Sequence, residues 1–368
     1  MSSKKYKKSS TSVLTVIGQV LAFLLTFVLM LVITLFLMMK IFCNSSTASR
    51  NTFITTVLET GQMKFLASLC LSDEEIAEVV SANSMKTITE KDVNEGMISV
   101  PVINYDDGGS VNEAAPVSQE IEIITIPGLT YKATLMIVPD PSRVSLATIS
   151  SGNDVWPEEG ITLEQMVQQN GALGAINGGL YASTNNTGGH PSGVAVSNGV
   201  IMRNRPSEFP GLVLVGLTES NILQIIDLEG MTAAECEAMI KEKQIRDAVC
   251  FQEAASVDNN HFVQLIINGK EREISGSGSG LNPRTAIGQR ADGALLLLVT
   301  DGRGSNGHAG ASAADLIEIM ARYGAVNAAN LDGGSSTCMY YNGEYLQNSV
   351  TFYYSQSSWK LPCAFIIK

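Results

Sequence analysis

Two aspartates stand where carboxylates are costly to place. Asp301 follows the apolar run from Ala294 to Val299 and opens Asp301-Gly302-Arg303. Asp332 follows the shorter run from Ala325 to Leu331 and opens Asp332-Gly333-Gly334-Ser335-Ser336. Each run reads as a buried strand, so each carboxylate is expected at a strand mouth, where a charge costs too much to serve as packing. An Asp-Gly pair is also a common turn, but a turn alone accounts poorly for two copies at strand ends. Arg284, in Asn282-Pro283-Arg284-Thr285-Ala286, adds a planar fork of donors suited to phosphate oxygens or to pairing with one of the two aspartates. Carboxylates beside guanidiniums and glycine-rich backbone suit cleavage of a glycosidic bond, in which one carboxylate stabilises an oxocarbenium-like state and another moves a proton.

The elements that must hold these residues are legible from caps and turns. Ser72 with Glu75, Thr162 with Gln165, Thr232 with Glu235, and Ser312 with Asp315 have capping-box spacing and predict helices from 73 to 80, from 163 to a stop at Gly171, to about Lys243, and from 313 to Tyr323. Runs 121–126 and 132–138 read as strands. Asn198-Gly199, Asn268-Gly269 and Asn342-Gly343 each separate β-rich runs, the signature of type I′ hairpins. Together they predict an α+β fold with a mixed, largely antiparallel sheet and packed helices. The run Ser275 to Gly280 alternates serine and glycine and reads as a slack surface loop, with a lid over the site as the alternative.

Val13 to Met39 carries no charge and follows Lys4, Lys5, Lys7 and Lys8. About 27 residues, on the order of 40 Å of helix, exceed a hydrocarbon core, and Met38 to Phe42 supplies no small-residue cleavage site. The expected organisation is a basic cytoplasmic tail (1–12), a transmembrane signal-anchor (13–42), a membrane-proximal helical stalk (43–83), a linker (84–116) and a domain (117–368). The lysines before the span place the N-terminus inside and the rest outside the cell membrane. Without those four lysines, 20 basic residues face 36 acidic ones, which excludes bulk attraction to nucleic acid; any phosphate must be held locally. Six cysteines show no Cys-x-x-Cys pairing; Cys236 with Cys250 is a candidate disulfide and Cys43 reads as incidental.

Five ordered blocks carry a resemblance: Ala175-Ile-Asn-Gly-Gly179, Asn282-Pro-Arg-Thr-Ala-Ile-Gly288, Asp301-Gly-Arg303, Asn327-Ala-Ala-Asn-Leu-Asp-Gly-Gly334 and Leu361-Pro-Cys-Ala-Phe365. Over roughly Glu120 to Lys368 the chain resembles the phosphodiester glycosidase family. Its best-known members remove N-acetylglucosamine from a sugar-1-phosphodiester, and many bacterial relatives are called exopolysaccharide biosynthesis proteins. The resemblance implies a hydrolase of an envelope glycan or sugar phosphodiester, with Asp301 and Asp332 catalytic, which the apolar span would anchor to the membrane. It implies Arg284, Thr285, Asn177, Gly178, Gly302, Arg303, Gly333, Gly334 and Ser335 as substrate contacts. No cofactor is expected; a divalent cation on Asp301, Asp332 and Asn330 is the lesser alternative. Ser335 stands where some members have a third glycine, and Lys360 where arginine is expected, which weakens any phosphate role for that tail. His190 and His308 lie on loops within reach of the same blocks. A glycan-binding module and a metal-dependent phosphodiesterase are the rival functions; two tryptophans and 6% aromatic residues argue against the first.

Overall fold

The structure, a computed structural model, describes residues 13–60, 63–88, 90, 92–100, 120–183, 186–256, 259–351 and 356–368. The tail lysines, the acidic turn at 106–110 and the expected domain start at 117 lie outside these. The chain divides into two compact units, Met1–Phe53 and Ile54–Lys368. The first contains the helix Val13–Ser45, long and apolar enough to cross a membrane by length and composition.

In the second unit every strand pairing among the described residues is antiparallel, as the hairpin signals predict. A seven-stranded sheet runs Glu122–Pro127, Lys132–Val138, Leu295–Thr300, Thr285–Arg290, Ala325–Asn330, Gln264–Ile267, Lys270–Glu271. One five-stranded sheet runs Leu223–Asp227, Leu212–Thr218, Ile245–Gln252, Val194–Ser197, Val200–Asn204. Another runs Glu344–Gln347, Met339–Tyr341, Gly174–Asn177, Cys363–Ile367, Val144–Thr148. One core joins all three through Met136, Leu297, Val215, Phe251, Ile176 and Phe365.

The unbroken apolar run before Asp301 now has a cause. Leu295, Leu297 and Val299 face that shared core, whereas Leu296 and Leu298 face a second cluster with Leu316, Ile317 and Met320 of the helix Ala313–Arg322. A strand covered on both faces is apolar at every position rather than at alternate ones. Each fully buried leucine there contributes roughly 2 kcal/mol.

All four capping boxes form, on helices Asp73–Ala82, Leu163–Gln169, Ala233–Glu242 and Ala313–Arg322. In the three Asn-Gly turns both residues have positive φ, as type I′ geometry requires. Three expectations are corrected. The serine-glycine run is neither slack nor a lid: its last three residues are buried, Ser275 donates to Ser84 O, and Ser277 bonds Asn83 Oδ1, because its small side chains let it pack directly against the chain from 55 to 84. Cys43 is not incidental, since it is disulfide-bonded, as is Cys70, while Cys236 and Cys250 are free buried thiols.

Residues 84–99 run along the domain surface. Met85 bridges Ile274, Asn94 N–H donates to Asn268 Oδ1 and Ser99 N–H to Ala291 O. Together with 54–83 they belong to the same compact unit as the glycosidase-like blocks.

Candidate active site

Three neighbouring central strands of the seven-stranded sheet present the predicted residues at one of their ends. Thr285 pairs with Val299 and Ala286 with Asn330. The ladder continues as Thr300 N–H donates to Arg284 O and Leu331 N–H to Thr285 O. Arg284, Asp301 and Asp332 therefore leave adjacent strands side by side, about 5 Å apart per strand. Their side chains then part company.

Asp301 is fully buried. Its Oδ1 accepts Lys132 N–H at 2.7 Å, and its Oδ2 accepts Asn306 Nδ2 at 3.1 Å and contacts His308 Nδ1 at 2.7 Å. These partners tie the loop 301–310 to the Lys132 strand; Gly310 is fastened to Thr130 by two further bonds. Gly302, expected to touch substrate, is buried where a Cβ would fall 2.7 Å from Gly310 Cα.

Arg284 turns the other way and pairs with neither aspartate. Its guanidinium, 8% exposed, meets the carboxylate of Glu59 at 2.5 Å, lies 5.0 Å above the Phe262 ring, and donates to Ser279 Oγ and to the carbonyls of Gly280 and Ala311. Glu59 is 225 residues away in sequence and nothing in the local pattern announced it.

Asp332 differs from both. It is partly open to solvent, yet desolvation raises its carboxyl to about 7, against lowering by Ser336, the Gly333 N–H and the Arg303 charge. Arg303 lies across its loop. With φ at 53° it donates Nη1–H to Ser335 Oγ at 2.8 Å and reaches Asn282 Oδ1 at 3.4 Å. Gly334, at φ +61°, holds a backbone conformation that favours glycine, and a Cβ there would fall 2.6 Å from Arg303 Nη2 and push the guanidinium aside. Arg303 is exposed on its outer side, but desolvation by the surrounding loops and the neighbouring Arg284 charge both hold its guanidinium below its ordinary value. Tyr181 completes the group: its hydroxyl lies 3.2 Å from Ser336 Oγ, and desolvation and the nearby Asp332 charge push its phenol up.

Asn177 ties this cluster together from beneath. Only 1% exposed, it donates Nδ2–H to Asp332 O at 2.7 Å, and its Oδ1 accepts from Thr285 Oγ1 and Cys338 N–H. Asn177 and Thr285 thus face protein, joining two sheets under the acid. Gly178 is buried against Cys363, where a Cβ would meet Sγ and O at 3.0 and 3.1 Å. Of the backbone donors expected to face a ligand, Gly334 N–H goes to Pro283 O, and the Gly333 N–H acts to lower the Asp332 carboxyl. His190 Nδ1 lies 3.3 Å from the O of its neighbour Pro191, and Lys360 pairs with Glu159. Asn330 donates to Phe262 O and leaves a buried Oδ1 unpartnered. Among the described residues no three His, Cys, Asp or Glu side chains converge as a metal site. A cavity of about 390 Å³ beside the helix Ala313–Arg322 shares no residue with the cluster.

The antiparallel α+β domain thus carries an acid with a raised pKa and an exposed arginine together at the glycine-rich ends of its central strands. Residues 170–368, more than half of the chain, match the phosphodiester glycosidase family, and the chain belongs to that family. The fold is similar to the catalytic domain of zebrafish N-acetylglucosamine-1-phosphodiester alpha-N-acetylglucosaminidase, a structure described as auto-inhibited by its pro-peptide. The TM-score is 0.51 and the identity 18%, over 70% of this chain and 85% of that one. A putative exported protein from Burkholderia pseudomallei is more distant, with a TM-score of 0.41 and 16% identity over 65% of this chain and 74% of that one. The SPbeta prophage-derived uncharacterized protein YomE of Bacillus subtilis (strain 168) is 42% identical over 67 residues, 18% of this chain; the match spans a tenth of that protein's length.

Proposed function

We propose that the protein is a membrane-anchored glycosidase that hydrolyses the bond between the anomeric carbon and the phosphate oxygen of a sugar-1-phosphodiester, in an envelope glycan or its precursor. The observation that carries this reading is Asp332, a carboxyl near pKa 7 beside Arg303. Arg303 offers donors to the phosphate. A bound phosphodiester is itself anionic and raises Asp332 further, so the occupied site favours the protonated acid. As the anomeric carbon–oxygen bond breaks, its electron pair stays on the bridging oxygen, which takes the Asp332 proton and leaves as a phosphate monoester. Water then bonds to the anomeric carbon and returns a proton to the Asp332 carboxylate. One residue serves in turn as acid and base.

Asn177 and Thr285 hold the acid's loop rather than the sugar, and Asp301 sets the loop that carries Arg303. The long apolar helix supports anchoring, and the disulfide-bonded Cys43 and Cys70 suit an oxidising compartment beyond the span. The test offers the full-length chain, in detergent, the p-nitrophenyl diester of N-acetylglucosamine 1-phosphate. Free N-acetylglucosamine and p-nitrophenyl phosphate are expected. Sugar phosphate as the product, with loss of activity in chelator, would replace this reading with a metal-dependent phosphodiesterase.

A further inference from the structure

We propose that Glu59, contributed by the segment between the apolar helix and the domain, is a positioning residue for this active site; the inference rests on the glycosidase reading. Its side chain is 3% exposed and ends on one short stretch of chain. One oxygen accepts Gly280 N–H at 2.6 Å; the other accepts Asn282 Nδ2–H at 3.1 Å and pairs with Arg284. Three residues earlier, Thr56 Oγ1 accepts Leu281 N–H at 3.0 Å. The two chains touch backbone to backbone, since a Cβ on Gly280 would fall 2.5 Å from the main chain of Thr55 and Thr56.

What Glu59 holds is what the acid rests on. Pro283 O accepts Gly334 N–H at 2.7 Å, two residues beyond Asp332, and Asn282 Oδ1 receives Arg303 Nε. One carboxylate therefore braces both the loop of the acid and the arginine beside it. It also neutralises the buried Arg284, whose remaining acceptors, Ser279, Gly280 and Ala311, are uncharged. Without Glu59 a buried cation would act on Arg303 and Asp332 with no counter-charge, and the 280–284 stretch would lose three bonds to one group.

The experiment compares full-length wild type, Glu59→Gln and Glu59→Asp in detergent with the same diester, following kcat, KM and the pH profile, together with amide hydrogen exchange of 280–284 and 332–336. For Glu59→Gln, kcat/KM is expected to fall roughly 10- to 100-fold, as misplacement of a reacting group by about an ångström does. The alkaline limb of the profile moves down by roughly half a unit, because an uncompensated Arg284 favours ionised Asp332. Exchange quickens in both stretches, and Glu59→Asp, which keeps the charge, restores the limb. An unchanged rate and limb in Glu59→Gln would overturn the proposal. So would a gain of activity, which would mean that the segment obstructs the site rather than building it. If the wild type turns over no diester, the glycosidase reading fails. Unchanged exchange in Glu59→Gln would then defeat the bracing role as well, and quickened exchange would sustain it.

Discussion

Asp301 and Asp332 occupy equivalent places, each just beyond a strand of the same sheet, on opposite neighbours of the Thr285 strand, and each before a glycine. Their surroundings are opposite. Asp301 is closed in by a backbone amide, an asparagine and a histidine. Asp332 lies beside a tyrosine and a constrained arginine, with desolvation outweighing its hydrogen bonds. A saturated carboxylate anchors a loop. A desolvated one that stays in contact with solvent can trade a proton near neutrality. Neither role is written in Asp-Gly; it is set by what the following ten residues bring back to the strand end.

Removing each carboxyl charge in turn separates the roles most sharply. Asp332→Asn should lower kcat about 10²- to 10⁴-fold, the range for a positioned acid–base group, with KM nearly unchanged. It should also stabilise the fold at high pH. The folded carboxyl at about 7 holds its proton more tightly than the unfolded one near 3.8, so wild-type stability falls as pH rises from about 4 to about 7. The asparagine variant lacks this fall. Its melting temperature should match wild type below pH 4 and exceed it above pH 7, by calorimetry across the range. Equal melting temperatures at pH 8 would mean that the Asp332 environment is not desolvating.

Asp301→Asn should do the reverse. An amide nitrogen replaces one oxygen among donors, leaving at least one buried N–H without an acceptor, at a cost of about 1–3 kcal/mol. The melting temperature should drop by on the order of 5 °C for a domain of this size. At a temperature where the variant is folded, its kcat should lie closer to wild type than that of Asp332→Asn. The opposite ranking of the two kcat values would return the chemistry to Asp301.

The caps and hairpins were readable because each depends on residues at most three apart. Ser312 with Asp315 or Asn268 with Gly269 states its geometry locally. The strand ends were readable too, since apolar runs followed by Asp-Gly mark both the sheet and its mouth. The division of labour between the two aspartates was not, because it is made by distant partners. Lys132 reaches Asp301 across 169 positions, and Asn177 reaches the Asp332 loop across 155. Tyr181 stands just past the Asn177-Gly178-Gly179 block, but only folding brings Ser336 to its hydroxyl. Arg284 looked like a phosphate clamp because an acidic chain offered no obvious reason for it. The reason is Glu59, in a segment that reads as a spacer until its contacts are seen.

The finest test of the contrast concerns Ser336, which holds the Asp332 pKa down by bonding the ionised form. A hydrogen bond to the charged state of an acid lowers its pKa, and losing it raises the pKa. Ser336→Ala should therefore shift the alkaline limb of kcat/KM upward, by less than about one unit for a single hydroxyl. The plateau rate at low pH should change little, since the protonated acid is already the dominant form there. A downward shift would assign the limb to another group, and the distinction between a loop-anchoring Asp301 and a proton-trading Asp332 would lose its clearest kinetic signature.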